Sequence, residues 1–181
     1  MHRRILTAAL LAAAFALPAA ANHTEEFHAN FSGFNEVGGL GAGETGAIVS
    51  EGKAHLTLKL DKVNQSIWFQ LTYSGLSAPV VQAHIHLGKV HVAGGVMVFF
   101  CSNNNVPNVQ PCPTDGGTVT GMITAASVLA VTGQHVTAGD FDALTDALNS
   151  NTAYANIHTT AFPAGEIRGE IRGGDDHDDR R

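Results

Sequence analysis

The chain has 181 residues, is 44% hydrophobic, and carries 16 acidic against 10 basic residues, a formal charge of −6. That acidic balance, with no Lys/Arg cluster, argues against non-specific binding to nucleic acid or anionic lipid. Its two cysteines, Cys101 and Cys112, lack the second pair that a cysteine-rich zinc site needs.

The first stretch, Met1 to Ala21, reads as a signal peptide. Arg3 and Arg4 form a short basic region, Ile5 to Leu17 an apolar core too short to span a bilayer, and Ala19-Ala20-Ala21 a small-residue cleavage site. The surroundings of Arg3-Arg4 do not support twin-arginine export, so ordinary secretion is expected. Cleavage leaves eight basic against sixteen acidic residues, and no later apolar run is long enough to cross a membrane. The expectation is an exported chain, periplasmic or extracellular, without a transmembrane anchor. The rest fits one domain, residues 22–173, followed by a solvated, disordered acidic tail over 174–181.

Within the domain, residues 27–34 read as a first strand with Phe27, Ala29 and Phe31 on one face. Asn35 to Gly46 then make a glycine-rich loop, in which Gly38, Gly39, Gly41 and Gly43 break any regular element. Ala54, Leu56, Leu58 and Leu60 alternate with His55, Thr57 and Lys59, the period of a half-buried strand that leaves His55 facing water. Residues 61–66 form a hairpin turn, and Ile67 to Tyr73 alternate again as the returning strand. Val81 to Leu87 is the strand Val-Gln-Ala-His-Ile-His-Leu, with Gln82, His84 and His86 sharing one face. A turn over residues 88–95 leads to an apolar strand, Val96 to Phe100. Cys101 and Cys112 then bracket a loop rich in Asn and Pro; in an exported chain such a pair is most simply a disulfide, with a Cys/His metal site as the alternative. Residues 118–123 are a further strand, and Thr124 caps a short turn through Val128. Phe141, Leu144 and Leu148 fall at helical spacing behind Asp140 and Asp142, which favour a helix N-terminus. Last, Ala153 to Thr159 and Glu166 to Arg172 read as strands of a hairpin. Seven or eight short strands and one inserted short helix predict a mainly all-β fold, an antiparallel Greek-key sandwich or barrel.

Ala83-His84-Ile85-His86, Asn156-Ile157-His158-Thr159 and the run Pro163-Ala164-Gly165-Glu166-Ile167-Arg168-Gly169-Glu170-Ile171 together resemble the CHRD domain. This module is repeated in the animal protein chordin and occurs singly in secreted bacterial proteins. Ser32-Gly33-Phe34-Asn35-Glu36-Val37, Phe100-Cys101 and Cys112-Pro113 add to the likeness, which covers residues 27–173. Gly38-Gly39 departs from it, standing where the family often has prolines. The resemblance implies an immunoglobulin-like or barrel-like β domain outside the cytoplasm, and no established activity for single-domain members.

Two functions compete. In the first, the chain is an exported, non-enzymatic module that binds a protein or envelope partner, and its polar residues mainly order the fold. Asn156, Glu166 and Arg168, with His84 and His158, would form a hydrogen-bonded cluster that fixes strand register. Glu166, Arg168, Glu170 and Arg172 share one face of the last strand, where opposite charges would pair. In the second, His84, His86 and His158 hold copper or zinc, the ions that imidazole prefers, with His91 in the following turn as a weaker fourth donor. The His-x-His strand resembles the copper strand of copper/zinc superoxide dismutases in architecture alone, and no zinc-loop pattern accompanies it, so dismutase activity is not implied. Catalysis by the chain itself has little support. There is no Gly-x-Ser-x-Gly elbow, no identifiable carboxylate pair, and no Lys-Ser/Thr after the glycines to cradle phosphate.

Overall fold

The computed structural model describes residues 24–38 and 46–174. The expected leader, residues 39–45 of the expected glycine-rich loop and the Asp175 to Arg181 part of the expected tail lie outside the described residues. Nine strands, β1 (Thr24–Phe31), β2 (Lys53–Asp61), β3 (Ser66–Ser74), β4 (Val80–Leu87), β5 (Gly95–Ser102), β6 (Gly117–Ile123), β7 (Ala153–Thr159), β8 (Ile167–Glu170) and β9 (Arg172–Gly173), make two antiparallel sheets. One has the order β6-β3-β2-β1-β9, the other β5-β4-β7-β8. This is the sandwich of the two expected architectures. Neither sheet closes on itself as a barrel would.

The alternating sequences explain how the sheets face each other. Leu56, Leu58 and Leu60 of β2 and Ile67, Phe69 and Leu71 of β3 point inward from the first sheet. Ala83 and Ile85 of β4, Ala155 and Ile157 of β7 and Ile167 of β8 point inward from the second. All belong to one core, and burying each large apolar side chain contributes roughly 1.5–3 kcal/mol. The helix α1 (Phe141–Asn149) adds Phe141, Leu144, Ala147 and Leu148 to it, and the Asp140 carboxylate accepts from the Ala143 N–H at 2.9 Å as its N-cap. Among the described residues no helix is long and apolar enough to cross a membrane.

Two boundaries differ from expectation. The first strand ends at Phe31, because Ser32 turns the chain and its hydroxyl accepts from Phe34 N–H, which starts a 3-10 turn over Gly33–Asn35. The expected strand over Glu166 to Arg172 is two strands in two sheets. β8 pairs with β7, and after Ile171 the chain crosses over so that β9 pairs with β1, Gly173 opposite Phe27. The four charged residues read as one face are therefore parted. Arg172 instead donates to the Asn151 carbonyl at 3.0 Å. Gly174 N–H donates to Glu26 O at 2.8 Å, so the ladder extends one residue past the expected domain end.

Cys101 and Cys112 are joined by a disulfide. The loop it closes lies over the edge strands β5 and β6. From that loop the Gln110 side-chain amide donates to Phe100 O of β5 at 3.2 Å and to Thr120 O of β6 at 3.0 Å. One side chain thus ties together the exposed edges of both sheets.

Candidate metal centre

The side chains of β4, β7 and β8 that point away from the core are polar, and strand register sets them in rows. His84 lies opposite Asn156, which lies opposite Arg168; His86 lies opposite Tyr154, which lies opposite Glu170; Gln82 lies opposite His158. An outward face is normally wet, yet this one is buried: His84 is 2% exposed, His86 and His158 7%, Asn156 3% and Arg168 0%. The turn over residues 88–95, the segment over 162–165 and Glu36 enclose it.

His84, His86 and His158 come together, each with a ring nitrogen within 4.8 Å of the others. Their environment fixes the ring protons. His86 Nδ1 lies 3.0 Å from Gly94 O and His158 Nδ1 2.8 Å from Pro163 O. A carbonyl can only accept, so each Nδ1 carries a proton and, in a neutral ring, each Nε2 is a bare lone pair. Both of these nitrogens face Asn156 Oδ1, at 2.9 and 3.0 Å. That oxygen is also an acceptor. His84 Nδ1 is 3.3 Å from His86 Nε2, and His84 Nε2 is buried without a hydrogen-bond partner.

Protonation of His86 does not resolve this meeting of acceptors. Burial, with the neighbouring His158 and His86 rings, pushes His84 down to about 2; burial pushes His86 down to about 4, against the raising effect of the Gly94 carbonyl. The His84 and His86 rings stay neutral at ordinary pH. Glu36, 4% exposed, opposes a turn of the Asn156 amide. Asn156 Nδ2 and the Glu36 carboxylate meet beside Gly165, where φ is 132° and a Cβ would collide with that carboxylate. Burial raises the Glu36 carboxyl, while the Val37 N–H, Arg168 and the Asn156 amide favour its charged form.

The walls are aromatic and cationic. Phe99 presents its ring at right angles to His84, centroids 4.5 Å apart, and Tyr154 stacks flat on His86 at 4.6 Å. The Arg168 guanidinium covers the other face of Tyr154 at 3.3 Å, pairs with Glu170 at 2.8 Å, and donates to Val92 O and Lys89 O at 3.1 Å each. Gly94 N–H donates to Tyr154 Oη at 3.1 Å. The 88–95 turn is thus pinned over the histidines by Arg168, Tyr154 and His86. Gly94 is obligatory there, since a Cβ would run into Leu87 O.

Other residues singled out in the sequence fall elsewhere. His91 is exposed at the turn with a left-handed φ of 61°, outside the three-histidine group. Glu166 is buried but pairs with no arginine; Ser50 and Thr159 hydroxyls donate to it at 2.6 and 2.7 Å, and Ser77 donates from both its amide and its hydroxyl at 2.9 Å. Of the expected charge ladder, the Arg168–Glu170 pair forms. His55 is exposed as expected and stacks on His28. Sequence reasoning did not single out Glu36 or Tyr154 for the site. Tyr154 could have been found, because it shares parity with Asn156 and His158 on β7; nothing local marks Glu36.

Residues 27–171 match the CHRD domain family. The chain belongs to that family. No curated protein and no solved structure matches it. The matched span contains every residue of the buried cluster in this CHRD domain, from Glu36 to Glu170.

Proposed function

We propose that this CHRD domain is an exported metal-binding module that holds one copper or zinc ion between His84, His86 and His158, with Asn156 Oδ1 as a further donor. One observation carries the reading: the Nε2 atoms of His86 and His158 and the Asn156 carboxamide oxygen, itself an acceptor, converge at 2.9 and 3.0 Å in a buried place. A cation resolves that conflict. The Nδ1–H bonds to Gly94 O and Pro163 O support it, because imidazoles that ligate metals ordinarily donate their second nitrogen to such an acceptor. The donors are closed in by protein, whereas a catalytic zinc keeps one position for water. This favours holding an ion over hydrolysing a substrate. The leader-like segment over residues 1–21 and the disulfide support export to the periplasm or the cell exterior.

A second reading has its own support. Burial raises the Glu36 carboxyl, and a protonated Glu36 would let the Asn156 amide turn over and donate to both Nε2 atoms, closing a purely structural network. Elemental analysis separates the two. The untagged protein starting at residue 22, exposed equally to copper and zinc beside a His84→Ala/His86→Ala variant, is expected to hold about one equivalent, and the variant almost none. No metal in the wild type overturns the metal reading. Circular dichroism of the variant checks that lost uptake is not lost folding.

A further inference from the structure

Resting on the metal reading above, we propose that this site selects copper in its monovalent form, Cu(I), over Cu(II) and Zn(II). The argument is one of charge. The donors are neutral, three imidazoles and a carboxamide oxygen, and among the described residues the metal-binding group contains no thiolate or carboxylate. They are almost entirely withdrawn from water, and the cost of moving an ion into such a place grows with the square of its charge. A divalent ion therefore loses about four times what a monovalent one loses, and nothing in the ligand set repays it.

The surroundings add to this rather than offset it. The fixed cation Arg168 stands behind Tyr154, one aromatic ring away from His86, and lies directly across from Asn156 in the β7–β8 ladder. Two of the nearby carboxylates are held by other groups. Glu170 is paired with Arg168, and Glu166 is satisfied by Ser50, Ser77 and Thr159. Glu36 faces the amide side of Asn156, away from the oxygen that meets the imidazoles. Phe99 and Tyr154 line the rest with rings. A Zn(II) or Cu(II) site would be expected to bring a carboxylate, a thiolate or water to the ion.

The protein without its leader is titrated anaerobically with Cu(I) against bathocuproine disulfonate, with Zn(II) against a zinc chelator, and with Cu(II) followed by electron paramagnetic resonance. One Cu(I) per chain is expected, bound at least 100-fold more tightly than Cu(II) or Zn(II). For copper that preference raises the one-electron potential by about 120 mV over the aqueous couple, at 59 mV per tenfold. Asn156→Asp, which puts a carboxylate at the same place with the same shape, is expected to shift the preference at least tenfold toward the divalent ions and lower the potential by about 59 mV or more. A merely structural Asn156 would alter stability and leave the potential where it was. If the variant does not fold, the wild-type competition still decides. Cu(II) or Zn(II) held as tightly as Cu(I) overturns the selectivity and leaves the metal reading standing, whereas no binding of any of the three overturns the metal reading itself.

Discussion

At the scale of single residues, the buried histidines make the metal-free domain sensitive to acid. His86 titrates near 4 and His84 near 2 in the folded state, both below the ordinary value of 6.5. Below pH 6.5 the unfolded chain binds protons that the folded one refuses, so stability is fully present above that pH and is lost as pH falls toward 4. For His86 alone the loss is on the order of 3 kcal/mol. Glu36, raised by burial, works in the opposite sense at the lower end of this window. Urea midpoints of the chelator-treated protein should fall between pH 6.5 and 4, and His86→Gln should flatten that slope. An unchanged midpoint across the window would show that these rings are wetter than their burial implies. The His84/His86 pair was legible because alternation along a strand fixes which side chains share a face. The proton assignment was not, because it depends on Gly94 and Pro163 carbonyls that side-chain chemistry cannot announce.

At the scale of elements, the disulfide loop does two things at once. It shortens the unfolded ensemble, and it holds Gln110 where its amide occupies backbone carbonyls on the edges of both sheets. Unpaired strand edges invite pairing with other chains. Cys101→Ala/Cys112→Ala should therefore lower stability by about 2–3 kcal/mol for a loop this short, and it should also raise the dimer or aggregate fraction in light scattering. Gln110→Ala should raise that fraction with the disulfide intact; if it does not, the edges are guarded by something other than Gln110. The cysteine pairing was readable from number and spacing in a chain expected to be exported. The crossing at Ile171 was not, since the Glu166 to Arg172 stretch alternates as smoothly as one strand and only the position of β1 draws its end into the other sheet.

At the scale of the whole molecule, the donors sit on β4 and β7, and the turns that cover them are anchored by β8, so a bound ion would clamp the second sheet and its coverings together. An ion that binds only the folded state adds about 4 kcal/mol at a thousand times its dissociation constant. Differential scanning calorimetry of the loaded protein should show a melting temperature that falls on addition of a chelator, while the His84→Ala/His86→Ala variant melts at the same temperature with or without it. Equal melting of the loaded and stripped wild type would place the ion on the unfolded chain as well. The sandwich itself was readable from seven or eight alternating segments. Its buried outer face was not, because Glu36 and the 88–95 turn that cover it lie far from β7 in sequence.

The pairing of the last strand with the first has a mechanical side. Glu26 and Gly174 are joined by a backbone hydrogen bond, and Phe27 faces Gly173, so the two ends of the domain leave it at one spot. Whatever the chain is tethered to on either side, the domain hangs from that tether as a pendant rather than lying in series with it. A pull between the ends peels β9 from β1 a bond at a time, like opening a zip, and spares the sheet that carries the histidines until that seam has parted.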